Sequence, residues 1–355
     1  MKQVIALADR IVEPALKLLA ALNLLFFLSF LFVLALATSQ ARADTPTCTG
    51  KDLLAELQQS DPAQVKKLEA KANETLNGKG TLWKIEKEGL EPSWLFGTIH
   101  MTDPRVTSLT PTAQTAYDGA KTVVIETTDI LDQAKTMGQL AQEPELMMFT
   151  DGSTLMSKLS KEDAAALEAG LNARGIPLSS VAKMKPWMLI AMVALPACEM
   201  ARKTAGVEIL DQKLATGAKA AGKELLGLET ASEQLRAMAS LPLEFHTRGL
   251  IDTLKLGDKA DDVVETMIEL YEREDVGMFW PLFEATLGDA AGLGEGYAEF
   301  EQVMVVKRNT VMADRSQPIL AKGGAFIAVG ALHLPGPDGV IEQLRRKGFT
   351  VTRAD

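Results

Sequence analysis

Six short apolar runs, separated by long stretches of helical periodicity, organise the chain. Residues 81–87 (TLWKIEK) and 93–100 (SWLFGTIH) read as strands, and Glu88-Gly89-Leu90-Glu91-Pro92 between them is turn composition, so a hairpin is expected. Residues 123–126 and 224–229 are short strands, and 349–353 is a last one. Residues 325–330 (AFIAVG) are apolar without alternation, the pattern of a strand buried on both faces. Residues 131–220 are helical in period throughout, punctuated at Gly152, Gly175, Pro177, Pro186 and Pro196, and residues 231–312 are helical again. Helices are also expected at 207–221 and 340–347. The stretch 44–80 reads as a tail and one helix, 62–72, capped by Asp61. Strands separated by helices predict an α/β fold: a central mixed sheet flanked by helices, with helical insertion or cap segments at 131–220 and 231–312. Residues 44–355 are expected to form one domain.

The first 43 residues change that picture only in their compartment. Residues 18–37 carry no charge, Lys2, Arg10 and Lys17 precede them, and Ala41-Arg42-Ala43 is an A-x-A site. This predicts a signal peptide over 1–43, cleaved before Asp44, and a periplasmic or secreted protein. The run of 20 is also long enough to span a bilayer, so an uncleaved anchor is the alternative and the one route to a membrane. The only two cysteines, Cys48 and Cys198, follow the signal. In an oxidising compartment a lone pair tends to be joined, which stabilises by about 4–5 kcal/mol in the loop-entropy model. Two free buried thiols are the alternative. The net charge of −10 and the lack of a basic cluster argue against nucleic acid as a partner.

The chemistry gathers at strand ends. Of three histidines, His100 and His333 each follow a buried strand and stand three residues after a glycine, Gly97 and Gly330. Glu126 and Glu229 close two more strands. Ligands in open α/β sheets bind beyond the carboxyl ends of the strands, so two imidazoles and two carboxylates are delivered to one kind of position. Two neutral imidazoles and a carboxylate can hold a divalent ion and leave a place for water. The ion then activates that water and polarises a carbonyl, while a second carboxylate takes the proton. Each residue has a plainer reading. His100 and His333 can be histidines satisfied by a turn, and Glu126 and Glu229 can cap the helices that follow them. His246 has no strand context and reads as a helix-surface or packing residue.

These residues also carry a resemblance. Leu82-Trp-Lys, Leu95-Phe-Gly-Thr-Ile-His100, Asp103-Pro-Arg105, Lys185-Pro-Trp187, Gly206-Val-Glu-Ile-Leu-Asp211, Leu228-Glu-Thr230, Lys307-Arg-Asn309, Val329-Gly-Ala-Leu-His-Leu-Pro-Gly336 and Gly348-Phe-Thr-Val351 together resemble the TraB/GumN family over about residues 80–353. Glu208 stands where an Asp is expected. The resemblance implies an erythromycin-esterase/ChaN-like α/β fold and points to TIKI-type metalloproteases. It makes His100 and His333 metal or catalytic residues, Glu126 their partner carboxylate, and Asn309, beside Arg308, a further polar contributor. The expectation is an exported metal-dependent hydrolase, peptidase-like, using Mn, Co, Fe or Zn on a peptide or envelope-associated substrate. The alternative is a ligand-binding or polysaccharide-biosynthesis accessory protein of the same fold without turnover.

Overall fold

The hairpin forms as expected. Leu82–Glu86 (β1) and Ser93–Thr98 (β2) pair antiparallel, with Leu82 opposite Phe96 and Ile85 opposite Ser93. The computed structural model describes residues 47–287 and 298–354. Thr122–Ile125 (β3), Glu224–Gly227 (β4), Ala325–Gly330 (β5) and Thr350–Arg353 (β6) complete a six-stranded sheet in the order β4-β3-β5-β2-β1-β6. The pairs β2–β5, β5–β3 and β3–β4 are parallel, and β1 is antiparallel to both its neighbours. Four adjacent strands therefore end at one edge of the sheet, and that edge is where the chemistry collects.

The apolar run of β5 is explained by what lies on each face. Ile327 and Val329 pack with Met312, Leu320, Ile341 and Leu344 on one side. Phe326 and Ala328 pack with Tyr117, Leu214 and Ala218 on the other. Helices thus cover both faces and neither set of side chains needs polarity. A third cluster joins Leu54, Leu68, Ile268 and Leu282 to Ile99 and Ala331, just beyond β2 and β5. The helical block around Leu155, Leu167, Leu189 and Leu250 builds a core of its own.

One reading of the helical regions is corrected. The stretch before β1 holds two helices, Leu53–Ser60 and Pro62–Glu74. Asp52 caps the first through the N–H groups of Leu54 and Ala55. Asp61 ends the first with its own N–H on Leu57 O and caps the second through Gln64 N. One residue doing both jobs hides the break in a continuous polar-apolar period. The block 131–220 is a chain of short pieces: Gln133–Leu140, Lys161–Ala173, Leu178–Val181, Pro186–Val193, Ala197–Thr204 and Leu210–Ala220, with 3-10 turns between. Its prolines begin helices rather than interrupt them, as a residue lacking an N–H can.

Cys48 and Cys198 form a disulfide, with Cα atoms 5.3 Å apart. The expected leader and its cleavage after Ala43 concern residues outside the described ones. Among the described residues no helix is long and apolar enough to cross a membrane.

Candidate functional site

Each Gly-x-x-His segment leaves its strand and turns at once. After β2 the chain bends so that Met101 N–H donates to Ile99 O at 2.9 Å, and after β5 residues Ala331–His333 form one 3-10 turn. The glycines permit this crossing. A Cβ on Gly97 would stand 2.7 Å from Leu334 Cδ1 and 3.0 Å from Ala331 Cα, so the second segment packs directly onto the first. Gly97→Ala is expected to destabilise by about 1–3 kcal/mol through this overlap. Thermal or urea unfolding measures it, and an unchanged midpoint would show that the two segments have room to part.

The two imidazoles and Glu126 meet around Gly330. A Cβ there would lie 3.1 Å from Glu126 Oε1, 3.5 Å from His333 Cδ2 and 3.8 Å from His100 Nε2. His333 Nε2 is 3.9 Å from Glu126 Oε1. Both rings are oriented from behind. Asn309 Nδ2 donates to Asp338 O at 2.9 Å, which fixes the amide and turns its Oδ1 to accept from His333 Nδ1–H at 2.6 Å. Asp211 Oδ2 accepts from His100 Nδ1–H at 3.2 Å, and its Oδ1 is held by the Thr98 hydroxyl at 2.9 Å. Each ring therefore keeps Nε2 for the cluster, the arrangement by which outer partners set tautomer and aim.

The carboxylates are gripped rather than free. Arg308 donates to Glu126 Oε2 and to Glu229 Oε2, both at 2.7 Å, and its Nε adds two bonds to Glu229 at 3.1 Å. Gly330 N–H donates to Glu126 Oε1 at 2.6 Å, and Gln234 donates to both glutamates at 3.1 and 3.3 Å. Neither glutamate caps a helix: Thr127 and Thr230 do. The fractional side-chain exposures are 8% for Glu126, 4% for Glu229 and 12% for Arg308, so this is a buried ionic knot.

The environments push the groups apart. Burial favours a neutral Glu126, but His333, His100, Arg308 and the Gly330 N–H outweigh it and draw the carboxyl down to about 2. Burial drives His333 down to about 4, more than Glu126 raises it. Its ring is therefore neutral at pH 7, and the cations left to hold Glu126 there are His100 and Arg308. Burial also opposes charge on His100, yet Asp211 raises it to about 9. About half of the His100 side chain is still exposed, whereas His333 is almost wholly covered.

Of the residues expected at the site, His100, Glu126 and His333 come together, Asn309 lies behind His333, and Glu229 reaches the cluster only through Arg308. His246 is a packing residue, buried with Nε2 at 2.9 Å from Met238 O. The sequence reading missed Asp211, Arg308 and Gln234 as working parts. Their signal was position: Asp211 opens a helix directed at the sheet edge, and Arg308 and Asn309 are consecutive after the π-helical turn Gln302–Val306. Such a turn rotates the residues that follow it and recurs at functional sites. A cavity of about 520 Å³ beside Glu91, Trp94, Pro111 and Gly324 lies at the other edge of the sheet and is separate from this cluster.

The donors suit a divalent ion in type. The Nε2 lone pair of His333, that of His100 once its proton has left, and one carboxylate oxygen are of the kind that zinc, iron and manganese take. Two ligands of a tetrahedral ion stand about 3.4 Å apart, so the 3.9 Å between His333 and Glu126 is a few tenths wide. Among the described residues no group of three or more His, Cys, Asp or Glu is gathered closely enough to be a ready-made metal cage.

No curated protein and no solved structure matches the chain. The family model for the TraB/PrgY/gumN family matches residues 81–353, from the first strand to the last, and the chain belongs to that family.

Proposed function

We propose that this chain is an exported, divalent-cation-dependent hydrolase that acts at the edge of the sheet on a peptide or envelope-associated substrate. The observation that carries the reading is the convergence of His100 Nε2, His333 and Glu126 on Gly330, with both Nδ1 atoms already engaged from outside. His100, His333 and Glu126 would hold the ion; Mn, Co, Fe and Zn all suit such donors. When bound, the ion supplies Lewis acidity toward a carbonyl and toward water. Glu126, ionised down to about pH 2, is suited to binding a cation and is a poor proton acceptor. Arg308 helps keep Glu126 charged and holds both Glu126 and Glu229 in place, while Asp211 and Asn309 fix the rings. The disulfide is compatible with export to the periplasm or beyond.

One observation favours a second reading. Arg308 already hydrogen-bonds both buried glutamates, and His100 is paired with Asp211 through Nδ1. On that reading the site works as an acid–base centre without an ion, with protonated His100 as the acid.

Metal analysis of the purified chain decides between them. Wild type and His246→Ala are expected to retain about one equivalent of transition metal after dialysis, and His100→Ala to retain little. Chelator should abolish hydrolysis and metal restore it. Chelator-resistant hydrolysis that still needs His100 would replace the first reading by the second.

A further inference from the structure

The turn that carries His100 is gripped by one face of the helix Ala197–Thr204. Glu199 accepts from the backbone N–H of Thr102 and, at 2.8 Å, from its hydroxyl. Lys203 Nζ donates to the carbonyl of His100 at 3.1 Å. Arg202 reaches Asp103 at 3.4 Å and stands 3.9 Å from Glu199. Cys198 of the same helix is joined to Cys48, and Arg202 also touches Cys48 Sγ. Positions 198, 199, 202 and 203 are spaced i, i+1, i+4 and i+5, so these four residues share one helix face.

Two energetic facts make this face a brace. A helix of eight residues is not stable by itself and takes its position from its tethers. Glu199 is 2% exposed, and a buried carboxylate is costly unless hydrogen-bonded. Its hydrogen-bond donors are the N–H and O–H of Thr102, so if the turn moves away, Glu199 loses both bonds and keeps only the nearby charges of Arg202 and Lys203. The turn is therefore locked to the helix, and the disulfide locks the helix to the segment ahead of Leu53–Ser60.

We propose that the helix Ala197–Thr204, tied down by Cys48–Cys198, is a positioning brace for His100, with Glu199 as its positioning residue. Opening the disulfide then frees the turn at residues 100–103 and withdraws His100 from Glu126 and His333. The functional weight of this step rests on the reading of His100 given above. The step itself is balanced by a dithiol: the S–S bond takes two electrons and two protons to give two thiols, and the dithiol closes to a disulfide.

The test uses the metal-free chain with its disulfide intact, after reduction by dithiothreitol, and as the Cys48→Ala/Cys198→Ala variant. Hydrogen exchange reports the Thr102 amide, and mass spectrometry reports carbethoxylation of His100 by diethylpyrocarbonate. Reduction is expected to speed Thr102 exchange at least tenfold and to speed His100 modification, with the amides of Ala325–Gly330 unchanged. Glu199→Ala should reproduce this with the disulfide intact. Glu199→Gln should restore most of the protection, because its amide oxygen still accepts from Thr102 N–H. Leu167→Ala, a comparable loss in the separate helical core, should leave Thr102 and His100 as they are. Unchanged Thr102 exchange or unchanged His100 reactivity on reduction overturns the proposal. So does equal loosening of β5 and the turn on reduction, combined with an unaffected turn in Glu199→Ala. Zn²⁺ titration adds a second arm, with affinity expected to fall at least tenfold on reduction. Intact wild type that takes up none of Zn²⁺, Mn²⁺, Co²⁺ and Fe²⁺ refutes the metal reading of the site, while the exchange and modification arms still decide the brace.

Discussion

Arg308→Met is expected to destabilise the fold by about 3–5 kcal/mol at neutral pH, the cost of leaving buried charge unpaired. Arg308 is the common partner of Glu126 and Glu229, through four hydrogen bonds of 2.7–3.1 Å. Burial alone would make the guanidinium easier to deprotonate, and the two carboxylates more than reverse that. Without it, two buried carboxylates face each other across the space it filled, with Gln234 as the donor they share. The sign of the pH dependence follows. In the wild type Glu126 titrates at about 2 against an ordinary 4.5, so its stabilisation is present above pH 4.5 and is lost as pH falls toward 2. The variant lacks one of the cations responsible, so its deficit is largest above about pH 5 and shrinks in acid, where the carboxyl groups protonate. Urea unfolding at pH 7 and pH 4 measures this. A deficit below 1 kcal/mol, or one that is equal at both pH values, would show that the knot does not carry this energy.

His333→Ala is expected to lower turnover at least 100-fold while leaving the fold in place, within the range lost when a positioned catalytic group is removed. The ring is buried but uncharged at neutral pH, so its removal strands no charge; the partner it leaves is the Oδ1 of Asn309. Asn309→Ala, which frees the ring to rotate, should cost less, about 10–100-fold. The two effects are expected not to add, because both act through His333 Nε2. Hydrolysis of a fluorogenic peptide library, read beside metal content and the unfolding midpoint, separates loss of chemistry from loss of fold. If the ion binds His100 through Nε2, the Nε2 proton must leave while Nδ1–H stays on Asp211, so metal affinity should climb with pH until about 9 and then level. A His333→Ala variant with a tenth or more of wild-type turnover would remove this residue from the site.

Local pattern was enough for the strands and for the histidines. An unalternating run such as Ala325–Gly330 is covered on both faces, and the ionisable residues that follow such runs, His333, Glu126 and His100, fall just beyond the strand ends. The pairing of Cys48 with Cys198 was likewise legible, because these are the only two cysteines in the chain. The helix pair around Asp61 was not, since a single residue can end one helix and cap the next without a break in composition. What acts on the strand-end residues was decided only by tertiary structure. Whether Glu126 and Glu229 cap helices or meet a cation depends on where Arg308 arrives, 182 and 79 residues along the chain from them. Asp211 becomes the partner of His100, and Glu199 the anchor of Thr102, because the parallel order β4-β3-β5-β2 brings one edge of the sheet under helices drawn from distant stretches. Sequence spacing encodes which residues share a strand or a helix face. Pairings across the sheet edge are set by the packing of whole elements, and no local pattern records them.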